Sequence, residues 1–201
     1  DLNLEDILFR YGVRINSNLI QDLVSCNVIP IIANSNSATK NRTLVNWIYF
    51  PLLGSYSTHP IVKNMDLVWG QFASSIDTTA STRCRKTVLL QSSPFSRVVP
   101  SPAVVDLKIL NEKMVKSSFN HPDNAVAVLL EGTFESAFAH RKQKDTVSSE
   151  LHFVEAVENN RMIVVSDGDI IRNQVSRNSG QVYTLGYDMY RRQTFANKKL
   201  I

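Results

Sequence analysis

Ala125-Val126-Ala127-Val128-Leu129-Leu130 is the stretch on which the reading of the fold turns. It holds no polar residue and so lacks the alternation of a half-exposed strand. A short, continuously apolar run of this kind is the pattern of a strand buried on both faces. Two further runs share it, Lys86-Thr87-Val88-Leu89-Leu90 upstream and Met162-Ile163-Val164-Val165 downstream. The gaps between them are long enough for a crossover helix and its loops. Residues 111–118 and 134–142 are predicted to be those helices. Each run ends in small, polar or acidic residues: Ser92-Ser93-Pro94, Glu131-Gly132-Thr133 and Ser166-Asp167-Gly168-Asp169. That is how the carboxyl edge of a parallel sheet reads. The expected fold is therefore α/β, an open and mostly parallel sheet with helices on both faces, in a single domain over residues 1–201.

The flanks fit around this centre. Asn3 is placed to cap a short amphipathic helix over 4–11, which Gly12 ends in a left-handed conformation. A short strand over 13–15 and a second amphipathic piece over 18–23 follow. Val28-Ile29-Pro30-Ile31-Ile32 reads as a strand, and Pro30, which has no ladder donor, assigns it to an edge. Residues 34–43 are polar and read as a loop, 47–53 are apolar and aromatic, and 55–60 are again loop-like. The aromatic and basic tail over 183–201 leads away from the last strand.

Composition narrows the function classes. Of 201 residues, 43% are hydrophobic and 20% charged, as in ordinary globular chains. The net charge of +4 is small. The basic runs Arg83-Cys84-Arg85-Lys86 and Arg141-Lys142-Gln143-Lys144 lack neighbouring aromatic platforms, so nucleic acid is not an expected partner. Cys26 and Cys84 form no metal or redox spacing and read as two buried thiols. No stretch reaches the roughly 20 apolar residues of a membrane span, and no signal peptide is visible. The start at Asp1-Leu2-Asn3-Leu4 reads as a piece cut from a longer protein.

Several segments together resemble a known family. They are Leu8-Phe9-Arg10-Tyr11-Gly12-Val13-Arg14-Ile15-Asn16, Leu19-Ile20-Gln21-Asp22-Leu23, Trp47-Ile48-Tyr49-Phe50-Pro51-Leu52, His59-Pro60-Ile61-Val62-Lys63-Asn64, Leu185-Gly186-Tyr187-Asp188 and Phe195-Ala196-Asn197-Lys198, with the runs at 126–134 and 163–171. In this order they resemble the gliding-motility-associated (GldG-type) auxiliary component of ABC transporters of Bacteroidetes. The resemblance implies a bacterial inner-membrane protein, anchored through segments absent from this chain, whose soluble domain faces the periplasm. It implies an ABC permease and ATPase as partners, a link to gliding motility, and a flavodoxin-like or class I glutamine-amidotransferase-like fold. It carries over no catalytic residues and no cofactor.

An amidotransferase-like fold would place a nucleophile on a strand-to-helix elbow, and neither cysteine sits in such a motif. The candidate ligand-binding residues are those at the strand ends. Asp167, Gly168 and Asp169 pair two carboxylates around a glycine, with a helix cap by Asp169 as the structural alternative. Glu131 and Gly132 are expected beside them in a parallel sheet, as an acidic crevice for a carbohydrate or a peptide. Ser92 and Ser93 offer hydroxyls at the third end. No metal site is expected: His59 and His121 lie in His-Pro turns, and His140 and His152 pair with no second ligand. Trp47, Tyr49, Phe50 and Trp69 read as core, with an aromatic binding surface as the rival.

Overall fold

The computed structural model describes residues 4–32, 42–80, 83–139 and 154–201. Residues 125–130 do form a strand buried on both faces, but the sheet around it is antiparallel. In chain order the elements are α1 (Glu5–Arg10), β1 (Val13–Ile15), β2 (Asn18–Asp22), β3 (Cys26–Ile32), β4 (Arg42–Leu53), β5 (Val68–Trp69), β6 (Ile76–Thr78), β7 (Cys84–Gln91), β8 (Ser96–Pro100), β9 (Ala125–Glu135), β10 (Ala156–Val165), β11 (Tyr187–Asp188), β12 (Gln193–Thr194) and α2 (Asn197–Leu200). Every strand pairing among the described residues is antiparallel. The sheets are small: β10-β9-β7, β3-β4-β5, and the ribbons β1-β6, β2-β8 and β11-β12.

The expected parallel α/β sheet, flavodoxin-like or amidotransferase-like, is therefore corrected to a β-rich fold of small antiparallel sheets. The physical reason lies in β9. Ala127 and Leu129 enter one apolar cluster, with Ile20, Leu53, Leu89 and Leu90, while Val128 and Leu130 enter another, with Val13, Ile76, Phe134 and Val164. Burial on both faces makes a strand continuously apolar whichever way its neighbours run. Here the covering layers come largely from other strands, Val13 of β1 and Ile76 of β6 among them, with Leu8 of α1 packed against that cluster.

The expected crossover helices are likewise replaced. Residues 107–118 make 3-10 turns, Leu107–Asn111 and Lys116–Ser118, which hold Ile109, Leu110 and Met114 against the aromatic cluster of Trp47, Ile48, Tyr49 and Phe119. Phe134 and Glu135 still belong to β9, and residues 140–142 lie outside the described residues. Several flanking expectations hold. Gly12 follows α1 at φ 84°, 13–15 is a strand, and among the described residues β3 with Pro30 has a single partner strand in its sheet. The piece at 18–23 is a strand, β2, and the loop expected over 34–43 falls mostly outside the described residues. Trp47, Tyr49 and Trp69 are buried, as the core reading of the aromatics has it, and Phe50 is half-buried against the same clusters.

The tail does not leave the body. Asn197 is buried, and its amide nitrogen donates to the Trp69 carbonyl at 2.9 Å and to that of Ile170 at 3.1 Å. Its oxygen accepts from the Trp69 N–H at 2.9 Å.

Candidate functional site

Antiparallel pairing redistributes the seven candidate residues. β7 and β10 run the same way on either side of β9, so Ser92-Ser93 and Asp167 lie at one end of the sheet. Glu131 stands opposite Arg85 and Arg161, well inside the ladder. From Val126, whose carbonyl accepts from Ser166, to Glu131 the strand rises roughly 17 Å. The parallel-sheet crevice that was to join Glu131-Gly132 to Asp167 does not form.

Ser92 and Ser93 are buried and fully engaged. The Ser92 hydroxyl shares a hydrogen bond with Ser96 at 2.7 Å and accepts from the Asn124 N–H at 2.9 Å. The Ser93 hydroxyl and N–H both donate to Asp22 at 2.7 Å, and Asp22 accepts further from Val24 at 3.1 Å and Ser25 at 2.8 Å. Four donors satisfy a carboxylate that is 0% exposed. Among the described residues neither serine meets an imidazole: Ser96 and Asn124 bond the backbone carbonyl of His121. Sequence reading missed Asp22 as the organiser, because residues 18–23 read only as a second amphipathic piece, whereas Asp22 is buried in β2.

Asp167 caps the 3-10 turn Gly168–Ile171 with one oxygen, accepting from Asp169 N–H at 2.8 Å. Its other oxygen accepts from Gln71 N–H at 2.6 Å, tying the loop after β5 to the end of β10. Burial pushes its carboxyl up to about 6, against the two N–H donors that favour the charge. The cap is Asp167, where Asp169 had been the structural alternative; Asp169 pairs with Arg172 at 3.0 Å. Gly168 faces open space.

Glu131 sits between two guanidiniums, with Arg85 at 2.5 Å and Arg161 at 3.1 Å. The Arg85 hydrogen bond, helped by both arginine charges, holds its carboxyl below the usual range. Arg83 pairs with Glu135 at 2.5 Å, so both arginines of the first basic run meet cross-strand carboxylates. At Gly132, φ is 144° and a Cβ would fall 2.1 Å from the Arg83 carbonyl oxygen. The glycine serves close strand approach.

Cys26 and Cys84 are buried free thiols, and burial pushes Cys26 up to about 11. Among the described residues, no group of three or more His, Cys, Asp or Glu gathers as a metal would need.

Among the described residues, a groove of about 1080 Å3 opens to solvent between α1 and the ribbons β1-β6 and β2-β8. Leu4, Phe9 and Ile15 line it and stay 49%, 58% and 37% exposed. Its floor is a polar seam. Asn16 and Asn18 donate to the Ser75 hydroxyl at 3.0 and 2.9 Å, and Ser74 donates to the Asn18 carbonyl at 2.7 Å. The Ser166 hydroxyl donates to the Ser74 carbonyl at 2.6 Å, and Asp167 holds Gln71 just before it. Asp167, a predicted site residue, thus anchors the segment that leads into Ser74 and Ser75.

Fold and site together define an antiparallel β-rich domain whose described strand ends are tied off internally and which carries an open groove beside α1. The chain belongs to the family described as ABC-type uncharacterized transport system, whose profile matches residues 1–201. The family is an auxiliary component of ABC transport, and transport is accordingly the setting of this chain. No curated protein matches it significantly, and no solved structure does.

Proposed function

We propose that this chain is a non-catalytic, extracytoplasmic binding domain of an ABC transporter's auxiliary component, and that the groove beside α1 is its binding face. The observation that carries the reading is the contrast between the candidate sites. The strand-end hydroxyls and carboxylates are consumed by internal hydrogen bonds, whereas the groove leaves large apolar side chains in water over a hydrogen-bonded floor. The permease and ATPase of the same transporter are the partners, and the domain faces the periplasm from an anchor in the inner membrane. In species that glide, the system serves motility. The family match and the resemblance of residues 8–16 and 185–188 to gliding-associated components support this setting.

The test is co-purification of the full-length protein with the permease and ATPase encoded beside it. The permease is expected to be retained by the natural protein and lost on Ile15→Asp in the groove. No retention of either subunit by the natural protein would sink the proposal. For location, Val104 is 86% exposed, so Val104→Cys in intact cells should react with a thiol reagent that penetrates only the outer membrane. Labelling only after lysis would move the domain to the cytoplasm.

A further inference from the structure

We propose that the groove takes a cationic peptide segment with apolar side chains, supplied by a partner protein. This rests on the reading of the groove as the binding face and adds the chemistry of its occupant.

The charged groups lining the groove run against the rest of the chain. Glu5, Asp6 and Asp77 face it against the single guanidinium of Arg14, on a protein whose net charge is +4. Arg14 stands opposite Asp77 in the β1-β6 pairing, so the described lining holds three carboxylates against one guanidinium. Among the described residues none of the three carboxylates makes an ion pair. Acidic residues in a first helical turn also suit the helix itself. Here, however, they share a groove with Asp77 from a different element and with the exposed Leu4, Phe9 and Ile15. Carboxylates beside uncovered apolar side chains are the complement of Lys or Arg alternating with aliphatic residues.

The floor narrows the class further. The side chains of Asn16, Asn18, Ser74 and Ser75 bond within the seam, to one another or to its backbone. The neutral polar groups of the floor are thereby occupied, and the polar groups left to meet an occupant are mainly the charged ones, Glu5, Asp6 and Asp77 against Arg14. A volume of about 1080 Å3 lies just above the range of small-molecule pockets, roughly 300–1000 Å3, and suits several side chains of one segment.

The experiment is fluorescence anisotropy with a labelled octapeptide alternating Lys and Leu, beside Glu–Leu and Lys–Ser counterparts. The Lys–Leu peptide is expected to bind, and each counterpart to bind at least about tenfold more weakly. The triple variant E5Q/D6N/D77N should weaken Lys–Leu binding about tenfold, as should raising salt from about 0.05 M to about 0.5 M. Equal affinity for the Lys–Leu and Glu–Leu peptides, or an unchanged affinity in a folded triple variant, overturns the proposal. The peptide comparison on the natural protein stands even where the variant fails to fold. Co-purification with the permease but no preference for the cationic peptide would defeat this inference alone. Preference for the peptide without co-purification would defeat the choice of transporter partner alone.

Discussion

Asp167 carries a charge that its surroundings resist. Its folded-state carboxyl lies at about 6 against an ordinary 3.8, because burial outweighs the donors from Gln71 and Asp169. A carboxyl raised on folding binds its proton more tightly in the native state. Its contribution is present below the unfolded value and is lost as pH rises through about 6, a swing of about 3 kcal/mol. Urea unfolding should show the natural protein losing stability relative to Asp167→Asn between pH 4 and pH 7. A constant difference would contradict the burial argument. At Gly132 the constraint is steric, since a methyl group would meet the Arg83 carbonyl at 2.1 Å and the backbone has φ 144°. Gly132→Ala is expected to destabilise by about 3 kcal/mol, read as a lowered Tm, and an unchanged Tm would refute the close approach. At this scale the sequence was partly legible. The Asp-Gly-Asp stretch announced a capped turn, but which aspartate caps depends on Gln71, ninety-six positions away.

Among the elements, β9 and β10 pair along most of their length yet differ in what they bury. Leu129 on β9 is 1% exposed and Ile163, its partner in the ladder, is 41% exposed. Leu129→Ala should therefore cost about 3 kcal/mol and Ile163→Ala less than about 1 kcal/mol in equilibrium unfolding. Similar losses at both sites would show that β10 is covered as deeply as β9. The same contrast marks what the sequence could say about elements. Uninterrupted apolarity in 125–130 correctly announced a strand covered on two sides. It was silent on strand direction, because direction is set by connections, and 3-10 turns take the place of a helix between β7 and β9. The expectation of a helix over 111–118 failed for a related reason. Ile109, Leu110 and Met114 are spaced to reach one aromatic cluster from irregular backbone, and a single face of an α-helix was not required.

For the whole molecule, the strand positions around β1, β3, β7, β9 and β10 were legible, and the way small sheets stack on one another was not. That arrangement depends on contacts between residues distant in the chain, such as Asp22 with Ser93 and Asn197 with Trp69, which local periodicity does not encode. The groove was invisible for the same reason, since its walls come from α1, β1, β6 and β8. The central ladder also has a consequence in time. Cys84 pairs with Gly132 and Val128 with Val164, so both of β9's borders close only after large stretches of chain have been brought round. Such closures are paid in entropy before any contact rewards them, and folding dominated by them runs in about milliseconds to seconds. Stopped-flow refolding should fall in that range, and a microsecond relaxation would exclude late assembly of the ladder. Until both partners arrive, residues 125–130 are a bare greasy ribbon in water. Recovery on dilution from denaturant should therefore fall as the protein concentration rises, with the chain at its most vulnerable before it has a groove to offer.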